Sequence, residues 1–289
     1  MKRVTGAEVY AVVGATGDVG KVVVERLMAA GHLVRPVSRS AGVSLDDRAA
    51  LQRAFAGVDG AFLMIPFDVQ AADLHERERD VGAKLADAVK GSAVRRVVLL
   101  SGLSAPLKTG SSLGAALMED RLDGLGIAEL VHLRAGFFME NFRKGLAFVA
   151  QAATGCFSTP FRGDLPMPMI AARDVGARAA ELLIEEPFRR LRVQELRGGG
   201  EYTMAEATAI LGAAIGRQDL KYAQAPPEVA RTGMLGAGMS PSFADAVLET
   251  ARSFNQEEQW GLETRSAQST TPTTLERWAK DVLAEGQPA

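Results

Sequence analysis

Three features of this 289-residue sequence predict an α/β architecture built on a mostly parallel sheet. Short apolar runs alternate with amphipathic stretches of helical length, the order that yields strand–helix–strand units. The first run, Val9-Tyr10-Ala11-Val12-Val13, is continuous and not alternating, as a strand covered on both faces must be. That run opens directly into Gly14-Ala15-Thr16-Gly17-Asp18-Val19-Gly20, after which a helical pattern continues to Ala30. In this context the three glycines differ in what they provide. Gly14 permits a tight turn, Gly17 lets a pyrophosphate approach the backbone, and Gly20 lets helix and strand pack closely. The helix start that follows offers unpaired N–H groups and the positive end of a dipole, so the amides around Thr16 and Asp18 are expected to clasp a dinucleotide.

The remaining elements follow in order. Gly31 ends the first helix as a left-handed cap, and His32 to Val37 reads as the second strand, with Pro36 predicting irregular pairing near its end. Ser38-Arg39-Ser40 then lies roughly twenty residues past the glycine turn, where NAD sites usually hold an acid for the ribose 2′-hydroxyl. A cation with two hydroxyls suits a 2′-phosphate better, because arginine meets phosphate with a planar fork. The expectation is NADP(H) in preference to NAD(H), with Arg35 competing with Arg39 for the contact. Asp46-Asp47 caps a helix through Phe55, and Ala61 to Ile65 forms another buried strand ending at Pro66. Ligands of such sheets lie outside the carboxyl ends of the strands, which puts Met64 to Phe67 beside the cofactor.

A long helix is expected over about 69–90, its Glu-Arg-Glu-Arg segment a solvated face. Arg96 to Gly102 is a strand that delivers Ser101 to the same rim. A helix over 113–125 stops at Gly124-Leu125-Gly126, and Leu130 to Arg134 is a strand running into Phe137-Phe138-Met139-Glu140-Asn141-Phe142. Residues 155–170, rich in Pro, Phe and Met and without a period, read as a lid or substrate loop. A helix from Asp174 to about Glu185, a strand over Leu191 to Leu196 and a capping box at Thr203 follow. Pro226-Pro227 and the glycines of 233–238 punctuate further helices, ending with one over about 274–283. The expected division is a dinucleotide-binding Rossmann domain over 1–150 and a smaller, mostly helical substrate lobe over 151–289, with 172–197 returning to the main sheet.

Composition narrows the partners. A formal charge of −2, with basic residues scattered, gives no electrostatic case for nucleic acid or an anionic membrane. Arg95-Arg96 and Arg189-Arg190 read as solvated strand entrances. Cys156 is the sole cysteine and reads as a small hydrophobe, which excludes an intrachain disulfide framework. No apolar run reaches the ~18–20 residues that span a bilayer, and no long apolar leader is present, so a cytoplasmic location is expected. His32, His75 and His132 fall on separate elements without metal-ligand spacing, so no metal is expected.

In their order, GATGDVG, the turn into the second strand, GVDGAFLMIP, RRVVLLSGLSA and LRAGFFMENF make the chain resemble the atypical short-chain dehydrogenase/reductases. The nearest branch is the NmrA-like proteins, which include quinone oxidoreductases and dye-reducing enzymes. The likeness runs on through Ala171 to Val175 and Tyr202-Thr203 to Gly216, about three-quarters of the chain. It implies cofactor contacts at Gly14, Thr16, Gly17, Asp18, Val19 and Gly20, at Ser38 and Arg39, at Asp46, and at Met64, Ile65 and Pro66, with Ser101 at the reacting end. It also implies a substrate wall of Phe137, Phe138 and Asn141, joined by Phe157 and Phe161 of the 155–170 loop.

One departure bears on chemistry. The superfamily's Tyr-x-x-x-Lys pair is missing, because none of Tyr10, Tyr202 and Tyr222 is followed four residues later by lysine. Many NmrA-like reductases carry His or Lys four residues before the glutamate of the 113–125 helix. Here that glutamate is Glu119 and the position holds Ala115. Two functions remain open. The first is NADPH-dependent hydride transfer to a quinone-like or conjugated aromatic small molecule, including a tailoring step on a secondary metabolite. Its developing anion is delocalised and can be protonated by water, with Ser101 donating a hydrogen bond to a carbonyl. The second is a non-catalytic, redox-sensing regulator that binds NADP(H) and a protein partner. Epimerase chemistry would need the missing pair. A homodimer stays open.

Overall fold

A computed structural model of the chain describes residues 6–185, 190–258 and 260–283. The expected Arg189-Arg190 strand entrance therefore lies outside the described residues at Arg189 and in the side chain of Arg190. The first half alternates strand and helix: β1 (Val9–Val13), α1 (Asp18–Ala29), β2 (Leu33–Val37), α2 (Arg48–Phe55), β3 (Gly60–Leu63), α3 (Leu74–Lys90), β4 (Arg96–Gly102), α4 (Leu113–Asp123) and β5 (Glu129–Ala135). After the short β6 (Phe137–Phe138), α5 (Glu140–Arg143) and α6 (Phe148–Ala152) come β7 (Cys156–Thr159), β8 (Met167–Ile170), α7 (Ala172–Ile184) and β9 (Arg190–Leu196). The chain ends with β10 (Gly200–Tyr202), α8 (Met204–Ala214), β11 (Lys221–Gln224), α9 (Pro227–Gly236), α10 (Pro241–Asn255) and α11 (Leu275–Val282).

The main sheet is six-stranded and parallel, in the order β2-β1-β3-β4-β5-β9. The chain moves outward from β1 to β2 and then returns to the other side of β1. This reversal places the glycine turn at the switch point, where a crevice opens beyond the strand ends. Alternate residues of each strand face opposite helical layers. Tyr10, Val12, Val98 and Val131 pack under α1 and α7 with Val23, Leu27, Val175 and Leu182. Ala11, Val13, Val97 and Leu99 pack under α2, α3 and α4 with Leu51, Phe55, Leu85 and Met118. Burial on both faces explains why these strands read as unbroken apolar runs. Pro36 pairs in regular register with Val12, so the irregularity predicted for β2 is absent; at the sheet edge a missing N–H removes no ladder bond.

A third apolar cluster begins at Met139 and gathers Phe142, Phe148, Phe157, Met167, Met169, Met204, Leu211, Phe254 and Trp278. It is built around two small sheets, β10-β8-β6 and β11-β7. The 155–170 stretch is a loop only over 160–166, between two strands: β7 lies parallel to β11, and β8 runs between β10 and β6. Both strands are only four residues long; β8 is buried throughout and shows no alternation, and the alternating burial of β7 is too short to stand out in the sequence. From this second lobe, β9 returns to the edge of the main sheet beside β5. The α3 helix starts at Leu74, later than expected, because the Asp73 carboxylate accepts the Glu76 N–H at 2.9 Å and caps it there.

Candidate functional site

Everything expected of the rim depends on the turn after β1. Gly14 adopts φ +71°, a left-handed conformation that glycine enters without penalty, and its N–H donates to Val37 O at 3.0 Å. Gly17 donates to Gly14 O at 2.9 Å and forms the start of α1 with no side chain to cap it. The first bond of the helix is Lys21 N–H to Gly17 O, 3.0 Å. The N–H groups of Asp18, Val19 and Gly20 therefore have no helical partner and aim outward at the positive dipole end. A Cβ on Gly20 would collide with Gly14 O, so only glycine allows the helix this close to the turn. Met64 presses on the same turn: its Sδ lies 2.5 Å from where a Gly14 Cβ would be. Ile65 is buried, Pro66 is half-buried, and Phe67 is exposed against the edge of Phe243.

At the end of β2 the two arginines separate. Arg35 Nη1 donates to the carbonyls of Arg53, Ala54 and Ala56, which end α2. Arg39 is exposed and its guanidinium has no ion-pair or hydrogen-bond partner among the described residues, beside a Ser38 hydroxyl that accepts from Ala41 N–H at 3.3 Å. Asp46 is already engaged by cations of α3. Arg77 grips its carboxylate, with Lys84 at 3.6 Å, and holds it below the usual carboxylate range. Asp18 in turn pairs with Lys144 at 2.6 Å and Arg143 at 3.7 Å, both at the end of α5.

Ser101, next to last in β4, is a buried hydroxyl without a hydrogen-bond partner of good geometry among the described residues. Next to it lies a buried charge cluster. Arg134 of β5 grips Glu119 of α4 with two donors, Nε at 3.0 Å and Nη2 at 2.6 Å, and His132 Nδ1 is 3.4 Å from the same carboxylate. Burial alone would raise the Glu119 pKa, but the His132, Arg134 and Ser101 contacts outweigh it and bring it to about 2. Glu119 therefore stays ionised and donates no proton. Ala115, one turn earlier, is half-buried and carries no polar group. The three tyrosines are occupied elsewhere, Tyr10 on Glu8, Tyr202 on Glu276 and Tyr222 on Thr159. No group of three metal-ligating side chains forms among the described residues.

Phe137 and Phe138 are half-buried at the rim and Asn141 follows them with no side-chain partner among the described residues. Phe161 stacks edge-on to Phe137 at 5.9 Å and is 4% exposed. Phe157 differs from the expectation of a wall residue. It has no exposed surface and packs among Phe142, Phe148 and Tyr222, because β7 turns it into the third core.

Two residues, one buried under α4 and one at the rim, could not be picked out from the sequence. Glu78, expected on a solvated face, is 3% exposed and hydrogen-bonds His75 Nδ1 at 3.0 Å. It packs on the start of α4, where a Cβ on Gly114 would collide with its carboxyl carbon. Its spacing from Leu74 and Val81 places it on the apolar stripe of α3, a signal the charge pattern concealed. Trp260 lies far along the chain in a segment without a period, and nothing in the sequence marks it.

A doubly wound sheet with a glycine turn and a free helix start at its switch point defines a dinucleotide-binding type of α/β protein. The chain belongs to the NmrA-like family, whose sequence profile matches residues 7–279. It is 30% identical over 258 residues to the NAD(P)H azoreductase of Xenophilus azovorans, covering 82% of this chain and 84% of that one. Its fold matches the NADPH-dependent quinone oxidoreductase of Escherichia coli, solved with NADPH, at TM-score 0.73 and 23% identity, over 95% of this chain and 99% of that one. It also matches NmrA, a negative transcriptional regulator solved with NAD, at TM-score 0.66 and 18% identity, over 98% and 99%. At those last two identities the likeness is one of fold.

Proposed function

We propose that this chain is an NAD(P)H-dependent reductase that passes a hydride to a conjugated, quinone-like aromatic small molecule, with NADPH preferred. The observation that carries this reading is the turn, in which three helix-start N–H groups stand free beside a Gly20 that admits no Cβ. The kinship with a reductase of azo compounds supports the class of acceptor. The dinucleotide, when bound, supplies the hydride.

The protein's own part is to bind, orient and keep water out. The N–H groups of Asp18, Val19 and Gly20 face the diphosphate, and Arg39 with Ser38 takes the 2′-phosphate. Met64, Ile65 and Pro66 form the floor beside the turn. Phe137, Phe138 and Asn141 stand over the reacting end, where Ser101 Oγ turns from Glu119 to donate to an acceptor carbonyl. With alanine at 115 and Glu119 ionised, no side chain on α4 supplies a proton. The fitting acceptors therefore spread the incoming charge over a conjugated system and take their proton from water. Purified protein supplied with NADPH and a panel of quinones and azo compounds should consume NADPH with at least one. Consumption with none would reject the reading.

The vacant acid position also favours a second reading, a regulator that binds NADP(H) without turnover. It expects tight NADPH binding, no turnover, and a protein captured in only one redox state. Absence of any capture in both states removes it.

A further inference from the structure

We infer that Ser112, held by Ser104, is a further catalytic residue, whose hydroxyl donates a hydrogen bond to the oxyanion that forms on the acceptor. The inference rests on the reductase reading and adds a donor at the start of α4, where Ala115 offers none.

The position follows from the ends of β4 and α4. Ser112 immediately precedes α4 in helical conformation and lies one turn before Ala115, so the two share a face. Its Oγ is 3.2 Å from where a Cβ on Gly102 would stand, and Ser104 Oγ is 3.9 Å from the same point. Gly102 is the last residue of β4 and follows Ser101. The chain then meets β5, where Leu103 N–H donates to Ala135 O at 3.0 Å, just before the aromatic segment begins at Phe137. The hydroxyl pair therefore lies at the ends of β4 and β5, where Ser101 and the aromatic segment also arrive.

The Ser112 hydroxyl is available because another group does its usual work. A serine at a helix start ordinarily accepts one of the free N–H groups. Ser112 makes no such bond. Glu78 reaches across from α3, and its buried carboxyl takes the Gly114 N–H, packed so tightly that a Cβ at 114 would collide with it. Ser112 Oγ turns instead to Ser104 Oγ at 2.6 Å. Only one of two paired hydroxyls donates to the other, so with Ser104 donating, the Ser112 hydrogen is left for a ligand. A hydroxyl that accepts a hydrogen bond is polarised and donates more strongly in turn. Ser112 is also half-buried and stands outside the Glu119 cluster, whereas Ser101 Oγ is covered.

The pair is preorganised. Gly110 takes φ +56° at a point where a side chain would run into Thr250, and its N–H donates to Glu249 at 3.1 Å. Ser111 N–H donates to Thr250 Oγ1 at 2.9 Å. These bonds to α10 fix the two residues before Ser112. Leu107 N–H, 3.0 Å from Ser104 O, fixes the turn that carries Ser104. Donors set in place before charge develops cost no reorganisation in the transition state. In the reaction the acceptor takes a hydride from the reduced dinucleotide and a proton from water, leaving hydroquinone and oxidised dinucleotide. Neither serine gives up its proton; Ser112 holds the negative charge that Ala115 and an ionised Glu119 leave unmatched.

The test is steady-state reduction of 1,4-naphthoquinone by the full chain with NADPH. Ser112→Ala is expected to lower kcat roughly 100-fold, the cost of losing one such donor, with NADPH affinity and thermal midpoint unchanged. Ser112→Thr keeps the hydroxyl and should recover most of the rate. Ser104→Ala should lower kcat to a smaller extent, with KM for naphthoquinone unchanged. The double alanine variant should be no slower than Ser112→Ala alone, because Ser104 acts only through Ser112. An unchanged kcat in Ser112→Ala, or losses from the two serines that multiply, overturns the assignment and leaves the reductase reading in place. A wild type that binds NADPH and consumes none with naphthoquinone or any other acceptor removes the reductase reading, and the assignment with it.

Discussion

Arg35 and Arg39 carry the same charge one strand-end apart, and only the three carbonyls that occupy Arg35 leave Arg39 as the one for a phosphate. Arg39→Glu is expected to weaken NADPH by roughly 10- to 100-fold, as loss of a charge-assisted contact implies, and to leave NADH nearly unaffected. Titration of both nucleotides by nicotinamide fluorescence checks it; equal losses would refute the 2′-phosphate contact. Glu119 gives a second test among single residues. Its pKa in the folded chain, about 2, lies below the 4.5 of the free group, so the folded state binds its proton more weakly. The resulting stability, about 3 kcal/mol, is full above pH 4.5 and disappears as pH falls toward 2. Glu119→Gln, which leaves Arg134 buried and unmatched, should cost about 3–5 kcal/mol at neutral pH and flatten that acid dependence in urea titrations.

Among the elements, those readable in the sequence have a local signal. The glycine turn, the buried strands and the Thr203–Glu206 capping box each announce themselves within a few residues. What stayed hidden depends on distant neighbours. Glu78 is buried only because α4 lies across it, and β7 and β8 are strands only because β11, β10 and β6 pair with them. The candidate site divides the same way. The sharp turn of Gly14 to Gly20 was legible from the glycine spacing, whereas Trp260 reaches the rim through a bond from Gly261 to Leu103. Burial, against the His75, Arg79 and Gly114 contacts, raises the Glu78 pKa above 4.5, so its charging opposes folding as pH rises past that value. Glu78→Gln should therefore lose less stability than the wild type as pH rises above 4.5, read from urea midpoints. Gly20→Ala drives a methyl into Gly14 O and should cost about 1–3 kcal/mol together with nucleotide binding, seen by thermal shift with and without NADPH.

For the molecule as a whole, the two lobes are interleaved and do not follow one another along the chain. The main sheet is completed by β9, from beyond the first small sheets, and Asp174 at the start of α7 holds Thr273 from the last segment at 2.8 Å. A fragment ending near residue 150 would leave the apolar flank of β5 unpaired. It is expected to aggregate or stay unfolded by circular dichroism, and the intact chain to unfold in a single urea transition.

Lys144 has a consequence of its own. It leaves the aromatic segment at α5 and reaches back to Asp18 at the helix end that we propose holds a diphosphate. A dinucleotide arriving there enters an ionic contact that already anchors the stretch of chain carrying Asn141. Traffic through the site should then be ordered, nucleotide first and acceptor second, with product inhibition patterns to match.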